Sequence, residues 1–244
     1  MRSRKKRKKR INFRKWFSRA KKIIRWILKR KFLTFCICVF LVFSFVGKCT
    51  KSEYHYRSAE ELAYLKLLKT LYSGRGRNVD IDSAKYAIAQ ACEFASQAEN
   101  NPQWDSPDVR DLLLATAITE TQLRARFQDR GGDAIGLFQI EYGTYRDLWR
   151  RAIPKHYSKL YTAMRQRFGD AKNGAIMFED LQKNDILSAI FARVKYFESK
   201  EPIPSMSDID AQAEYYKRIY NTAKGKANVE RFKKLKSDFL KESK

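Results

Sequence analysis

The chain has 244 residues, enough for one good-sized domain with additional segments. Its formal net charge of +24 is uneven, because residues 1–31 hold 17 of the 51 Lys and Arg residues and no acidic residue. A basic arm of this kind ordinarily suggests nucleic-acid binding, but the residues after it favour a different partner. The four cysteines and two histidines form no CxxC or Cys/His cluster, so neither a metal site nor another cofactor is expected.

An uncharged apolar run, residues 32–47, follows the basic arm and is interrupted only by Thr34 and Ser44. As a helix it would be about 24 Å long, somewhat short for a hydrocarbon core of about 30 Å. Lys31 and Lys48 flank it, and their side chains can reach the interface. The run predicts one N-terminal transmembrane helix that acts as a signal anchor.

The segment before this run mixes aromatic and aliphatic residues with many basic ones between residues 11 and 30. That pattern is typical of an amphipathic helix on an anionic membrane surface. It predicts a cytoplasmic N-terminus, with the chain beyond Gly47 translocated across the membrane, and no nucleic-acid partner. A cleaved signal peptide is the alternative, although 31 residues precede its apolar core and Lys48 lies where a cleavage site needs small residues.

The cysteines leave one question open. Cys36 and Cys38 lie within the apolar run and are interpreted as inert apolar residues. Cys49 and Cys92 would both lie outside the membrane and could form a disulfide, but their spacing does not require one. Lipid attachment at Cys49 is a weaker possibility, since Lys48 replaces the small residue expected before it.

Residues 48–57 are polar and are interpreted as a linker to a helical domain over residues 58–244. Ser58 and Glu61 have the spacing of a capping box, which predicts a helix to about Tyr72. Apolar periodicity predicts a second helix over residues 81–98. Ser106 followed by Pro107 predicts the start of a third, which runs to about Glu120. Further helices are predicted over residues 142–153, where Pro154 ends the helix, and over 156–168, 178–181, 185–197, 209–220 and 229–240.

The most informative stretch covers residues 112–142, LLLATAITETQLRARFQDRGGDAIGLFQIEY. An apolar helix ends on Glu120, a loop rich in charge and glycine follows, and a second apolar patch spans residues 134–140. A carboxyl group at the end of an apolar helix can lose hydration, which raises its pKa and lets it donate a proton near neutral pH. The residues by themselves favour a simpler interpretation, a solvated glutamate before a turn.

Two motifs in this order resemble the lytic transglycosylases of the SLT type and the goose-type lysozymes. The first is Glu120-Thr121 followed by the DAIGLFQI run of residues 133–140, which is similar to the Glu-Ser and GAxGLMQI elements of that family. The second is YKRIYNTAKG, residues 216–225, which looks like a variant of the family's AYNAG element. The resemblance covers about residues 58–239.

Three positions depart from the family pattern. Thr121 stands where serine is usual, Phe138 replaces methionine, and Asn221 is followed by Thr-Ala-Lys-Gly instead of Ala-Gly. None of these departures removes the acid. The resemblance implies a mainly α, lysozyme-like fold of the α+β class with little or no sheet, which acts on peptidoglycan glycan strands between N-acetylmuramic acid and N-acetylglucosamine.

The resemblance also implies roles for individual residues. Glu120 would protonate the leaving oxygen and then act as a base while the C6 hydroxyl closes a 1,6-anhydro ring. Thr121 and Gln139 would line the sugar cleft, Tyr220 would orient the Glu120 carboxyl group, and Asn221 would hold an N-acetyl group. Without the resemblance, Tyr220 is interpreted as a core residue and Asn221 as a helix C-cap.

A hydrolase of the goose type would need a second acid, to activate water or to attack the sugar. Asp133 and Glu141 are the candidates, with Asp129 as a further option, and all three could equally be solvated turn residues. The alternatives to a transglycosylase are therefore a muramidase that uses Glu120 with Asp133 or Glu141, and a non-catalytic protein that binds peptidoglycan in the cell envelope.

Overall fold

Helices dominate the part of the chain that the structure describes. The computed structural model describes residues 58–72, 74, 76–128, 132–221 and 228–242, all within the unit Ser58–Lys244. This part is 69% helical and contains a small three-stranded sheet. The basic segment, the predicted transmembrane run and the linker lie outside the described residues. Among the helices in the described ranges, none is both long and apolar enough to cross a membrane.

The elements follow one another in a simple order. The described α-helices are α1 Ala59–Tyr72, α2 Ile81–Glu99, α3 Pro107–Thr121, α4 Tyr142–Asp147, α5 Ile153–His156, α6 Ser158–Phe168, α7 Asp180–Lys183, α8 Asp185–Phe197, α9 Ile209–Tyr215 and α10 Val229–Glu242. A 3₁₀ turn covers Pro102–Trp104, and π-helical turns cover Leu148–Ala152 and Tyr216–Asn221. The strands β1 Arg77–Asn78, β2 Arg124–Phe127 and β3 Ile135–Gly136 pair antiparallel in the order β1-β2-β3.

The predicted helix starts are confirmed. The Glu61 amide donates to Ser58 Oγ at 3.1 Å, and the Ser58 amide donates to Glu61 Oε2 at 3.2 Å, which is a complete capping box. Before α3, Ser106 Oγ accepts from the Val109 amide at 3.2 Å, and Pro107 is the first helical residue. These caps satisfy amides that a helix leaves without partners in its first turn.

The core forms around α3 and α8, which are buried on nearly all sides. In α8 every residue from Leu187 to Val194 is buried, and α3 buries nine of its fifteen residues. A helix that is apolar all round belongs inside a domain. The threonines of α3 fit there because Thr116 and Thr119 donate their hydroxyl protons to carbonyls one turn earlier, at 2.8 and 2.7 Å.

The last helix, α10, packs against α3. Lys236 is 3% exposed, and its ammonium group donates to Asp111 at 2.5 Å and to the side chain of Gln212 at 2.7 Å. Phe232 is fully buried with its ring centroid 5.0 Å from that of Tyr216. A buried charge is tolerated only when it is paired and hydrogen-bonded, so Lys236 fixes where α10 docks.

The prediction that Pro154 ends a helix is wrong. The chain stays helical from Tyr142 to His156, because the π-helical turn Leu148–Ala152 connects α4 to α5. Pro154 lies in the first turn of α5, where the fixed φ and missing N–H of proline are tolerated.

Gly136 occupies the tightest position of the small sheet. Its φ is +80°, and a Cβ there would overlap the carbonyl oxygen of Leu181. Its amide donates to Gln182 Oε1 at 3.1 Å, and Gln182 Nε2 donates to the Ala125 carbonyl at 3.0 Å. Gln182 therefore joins β2 to β3, and only glycine allows the backbones to approach this closely.

We predict that Gly136→Ala lowers the free energy of unfolding by about 2 kcal/mol or more, since it adds both a left-handed alanine and a steric overlap. Gly143→Ala is the matched control, because a Cβ at Gly143 meets no atom within 4 Å and the residue lies in α4. Urea denaturation monitored by circular dichroism measures both. Equal stability of the two variants would contradict this account of Gly136.

Candidate active site

Glu120 lies in the last turn of α3, one residue before the helix ends at Thr121. Gln122 and Leu123 follow with φ of 52° and 60°, and the Gln122 amide closes the helix on the Ile118 carbonyl at 2.8 Å. Two consecutive left-handed residues other than glycine are uncommon and turn the chain sharply. This turn sends the chain into β2 and leaves the Glu120 side chain at the helix end, only partly buried.

The surroundings of Glu120 favour its protonated form. Burial removes hydration from the carboxyl group and raises its pKa above the ordinary value of 4.5. Hydrogen bonds from Tyr216 and Asn221, and the charges of Lys195 and Arg231, act in the opposite direction. The Tyr216 hydroxyl donates to Glu120 Oε1 at 2.7 Å. The net effect is a pKa above the usual range, as a proton donor requires.

The tyrosine that contacts the acid is Tyr216, and not Tyr220, for which the family resemblance implied this contact. The Tyr220 hydroxyl instead donates to the Phe138 carbonyl at 2.7 Å, and its ring lies 6.0 Å from that of Tyr216 at an angle of 18°. Tyr220 therefore holds the turn that contains Phe138. Asn221 Nδ2 lies 3.4 Å from the Tyr216 hydroxyl oxygen, so Asn221 does reach the acid.

Lys195 and Arg231 also act on Glu120, and the sequence analysis did not single them out. Lys195 Nζ donates to the Tyr220 carbonyl at 2.7 Å and lies 4.1 Å from the centroid of the Tyr220 ring. Burial lowers the pKa of Lys195, while the charges of Glu120 and Glu141 raise it. A lysine within the mostly apolar helix α8 was the available sign, because such a charge needs a partner.

Thr121 joins α3 to the turn before α4. It is 3% exposed, and its hydroxyl lies 2.9 Å from both the Ala117 and the Leu137 carbonyl oxygens. Its proton is therefore committed to the backbone. Thr121 was predicted to contact the sugar, but its hydroxyl contacts the backbone of the GLFQ run, residues 136–139, at the Leu137 carbonyl.

Gln139, predicted to line the sugar cleft, has a left-handed φ of 47° and is partly buried. Its Nε2 donates to the Arg126 carbonyl at 2.9 Å and to the Gly136 carbonyl at 3.0 Å. The backbone thus orients the amide, and the carbonyl oxygen is the atom that Gln139 can offer to a sugar hydroxyl or N–H.

The two candidate second acids differ in their surroundings. Asp133 is partly buried just before β3. Asp129, the further option, lies outside the described residues. Glu141 is exposed at the start of α4, and its side chain makes no capping bond there. The charge of Glu141 raises the pKa of Lys195, the same ammonium group that acts on Glu120.

No protein-family model, curated protein or solved structure matches the chain. The case for a function therefore depends on the two motifs quoted above and on the surroundings of Glu120.

Other candidate groups do not form a competing centre. Within the described ranges, no cluster of His, Cys, Asp and Glu side chains is arranged to hold a metal ion. Cys92 is a fully buried free thiol, and burial raises its pKa to about 12, so it is not a reactive thiolate.

Two cavities border α3, one at its C-terminal end and one at its N-terminal end, and Glu120 lines neither. One of about 340 Å³ is bordered by Asn78, Thr121, Gln122, Arg124, Arg126 and Arg231. A larger one of about 860 Å³ is lined by Arg193, Phe197 and Lys200, on a different side of α8 from Lys195.

We predict that Glu120→Gln stabilises the protein at pH 7 by about 1 kcal/mol, since glutamine is neutral and avoids ionisation in a desolvated place. A raised folded-state pKa means that the contribution of Glu120 to stability is complete below about pH 4.5 and is lost as the pH rises through the folded pKa. The advantage of the variant should therefore shrink on acidification. Urea denaturation from pH 4 to pH 7 measures it, and a constant difference would contradict the prediction.

We further predict that Tyr216→Phe raises the pKa of Glu120 beyond its wild-type value, because it removes a hydrogen bond that stabilises the carboxylate. Tyr220→Phe is the matched control, since its hydroxyl bonds to a backbone carbonyl. Carbon-13 NMR titration of the Glu120 carboxyl group measures both. A larger shift in Tyr220→Phe than in Tyr216→Phe would show that the wrong tyrosine has been assigned to the acid.

Proposed function

We propose that the chain is a peptidoglycan lytic transglycosylase that cleaves the bond between N-acetylmuramic acid and N-acetylglucosamine. The observation that carries the proposal is a glutamate at a helix end that accepts a hydrogen bond from Tyr216 and whose pKa is raised, because desolvation outweighs its stabilising neighbours. The mostly helical fold with its small three-stranded sheet is compatible with the proposal, and the likeness of the two sequence motifs to this family supports it. Asn221, from the second motif, contacts the acid supplied by the first.

The reaction has two proton transfers, both through Glu120. The protonated carboxyl group gives its proton to the glycosidic oxygen as the bond from C1 breaks and an oxocarbenium-like state develops. The resulting carboxylate then accepts the proton of the muramyl C6 hydroxyl, whose oxygen forms the new bond to C1. The anhydro ring closes without water, and Glu120 is protonated again.

The neighbours of Glu120 suit this cycle. Between the two transfers the carboxylate is ionised, and it is then stabilised by the Tyr216 hydrogen bond and by the charges of Lys195 and Arg231. Gln139 and Asn221 would contact the hydroxyl and N-acetyl groups of the sugars. We place the enzyme at the outer face of a bacterial inner membrane, held by residues 32–47 and the basic segment 1–31.

A muramidase is the second candidate, and Glu141 favours it. Its charge acts on Lys195, as the charge of Glu120 does, so both carboxylates lie within electrostatic reach of one ammonium group. Hydrolysis would use Glu141 or Asp133 to activate water. The two reactions differ in their products, because only the transglycosylase leaves 1,6-anhydromuramyl ends.

We predict that the full-length protein clears suspensions of purified peptidoglycan and that Glu120→Gln lowers the rate by at least about 10²-fold, the usual contribution of a general acid. Mass spectrometry of the released fragments should find anhydro ends. The control is sedimentation of Glu120→Gln with peptidoglycan, which should show retained binding.

Three results would separate the alternatives. Reducing ends that disappear in Asp133→Asn or Glu141→Gln would identify a muramidase. Binding without any clearing by the wild type would identify a non-catalytic envelope protein. Equal clearing by wild type and Glu120→Gln would remove Glu120 from the mechanism.

A further inference from the structure

Helix α1 concentrates exposed apolar side chains on its outward face. In the part of the chain that the structure describes, six large apolar side chains are exposed, and Leu62, Leu67 and Leu71 of this one helix are three of them. Their exposed fractions are 54%, 55% and 47%. Single exposed apolar residues are normal on a protein surface, whereas several on one helix favour a surface that binds a partner.

The inward face of α1 is fixed to the domain, so the outward face cannot turn into the core. Leu65 and Leu68 are buried, and Arg146 of α4 donates to the Glu61 carboxylate at 3.2 Å. A helix that is apolar on all sides is ordinarily covered on all sides. Helix α1 is largely apolar on both faces, and the described part of the domain covers only the inward one.

Helical spacing arranges the outward face as a strip. With 3.6 residues per turn, Leu67 and Leu71 lie on one flank of this face, and Leu62 lies on the other flank with Lys66 one turn further on. The exposed residues between the two flanks are small: Ala59, Ala63 and Thr70. Such a face can lie flat against a broad surface.

The charges beside the strip indicate what kind of surface it fits. Lys66 and Lys69 are exposed next to the leucines. Glu60 is exposed too, but it lies in the first turn, where a negative charge stabilises the helix itself. Lysine stems can lie along apolar surface while their ammonium groups reach outwards. Leucines combined with lysines on one helix face are typical of binding at the boundary between acyl chains and anionic headgroups.

The chain also keeps α1 close to a membrane if residues 32–47 span one as predicted. Ten residues, 48–57, separate that run from Ser58. Ten residues reach at most about 35 Å when fully extended, and α1 itself is about 21 Å long. The tether gives α1 a high effective concentration at the bilayer surface, so even a weak contact would form there.

A second copy of the chain suits the strip less well than a membrane does. Contacts between identical chains are usually two-fold symmetric. A two-fold contact centred on α1 would bring Lys66, near the middle of the helix, close to Lys66 of the other copy. Like charges disfavour that contact, whereas anionic headgroups attract both.

We propose that the outward face of α1 lies on an anionic phospholipid surface. Leu62, Leu67 and Leu71 contact the boundary of the acyl chains, and Lys66 and Lys69 lie among the headgroups. The contact determines which side of the domain faces the membrane. It rests on the membrane placement by residues 32–47 in the proposed function, and it does not depend on the chemistry of Glu120.

Fluorescence quenching of the full-length protein in vesicles of phosphatidylcholine and phosphatidylglycerol tests the contact. Buried Cys92 is kept. The three cysteines outside the described residues are replaced, by Cys36→Ala, Cys38→Ala and Cys49→Ser. Leu67→Cys or Leu71→Cys then carries an environment-sensitive dye. Lipids brominated near the acyl-chain boundary should lower the emission from either dye by about half or more, as expected for a helix face that enters this boundary.

Met206→Cys with the same dye is the matched control, because Met206 is 51% exposed and its amide donates to Asp108 at the start of α3. Its emission should not change with brominated lipids. Adding Leu62→Gln and Leu67→Gln to the Leu71→Cys protein should remove most of the quenching and leave the circular dichroism spectrum unchanged, since both leucines are exposed. Vesicles of phosphatidylcholine alone should give weaker quenching, because the lysines lose their anionic partners.

Quenching at positions 67 and 71 that is absent, or no stronger than in Met206→Cys, would overturn the proposal. Equal quenching in neutral vesicles would overturn its anionic character. Leu67→Cys chains that form disulfide-linked dimers without quenching would assign the face to a second copy. Protein that fails to float with the vesicles would overturn the predicted anchor and this contact together.

The enzymatic proposal fails separately from this one. If the wild type cuts no wall but brominated lipids quench the dyes on α1, the membrane contact stands and the enzyme does not. If the wall is cut and the dyes are not quenched, the reverse holds.

Discussion

The structure depends on holding one carboxyl group at the C-terminal end of a buried helix. The peptide dipoles of α3 place partial negative charge at this end, which disfavours a second negative charge there. Desolvation acts in the same direction and is the largest influence on the pKa of Glu120. Against these effects stand a phenol, an amide and two cations from three other elements. The pKa of Glu120 is therefore set by two opposing groups of effects. Burial and the helix dipole favour the protonated carboxyl group, and the hydrogen bonds and positive charges of its neighbours favour the carboxylate.

The π-helical turn Tyr216–Asn221 makes this balance possible. In an α-helix, residues four apart lie on one face, whereas the wider π turn aligns residues five apart. Asn221 Nδ2 accordingly lies 3.4 Å from the Tyr216 hydroxyl oxygen, and both groups reach Glu120. Tyr220, four residues from Tyr216, bonds to the Phe138 carbonyl. This one turn thus supplies two contacts to Glu120, from Tyr216 and Asn221, and one to the Phe138 carbonyl, from Tyr220.

Local signals in the sequence were sufficient for the starts of α1 and α3 and for the position of Glu120 at the end of α3. Ser106 and Pro107 mark where α3 begins, and its apolar run extends to the acid. The left-handed pair Gln122 and Leu123 could not be predicted, because neither residue type favours that conformation and tertiary packing imposes it. Strand β2 was not predicted, because four residues are too few to show an alternating pattern. Its partner β1 is distant in the sequence, and its other partner, β3, lies beyond a loop.

The choice between Tyr216 and Tyr220 also lay beyond the sequence. Both are buried aromatic residues on one helical segment, and only the packing of α10 and of the GLFQ turn shows which hydroxyl faces the acid. Lys195 carried a detectable signal, but its partner belongs to another helix. Motif spacing therefore located the acid, whereas the groups that set its pKa come from contacts distant in the sequence.

The positive charge near Glu120 has a consequence for when the acid is ready to act. Arg231 lowers the pKa of Glu120, so an unloaded site favours protonation less than burial by itself would. A sugar bound at the proposed site would displace water from the carboxyl group. This loss of hydration raises the pKa of Glu120, so in the proposed reaction substrate binding would favour the proton that the first step needs. After that proton has left, Tyr216 and Lys195 would stabilise the carboxylate until the C6 hydroxyl supplies the next one. The positive charge beside Glu120 would therefore serve the carboxylate between the two proton transfers, and the bound substrate would help to restore the proton that this charge disfavours.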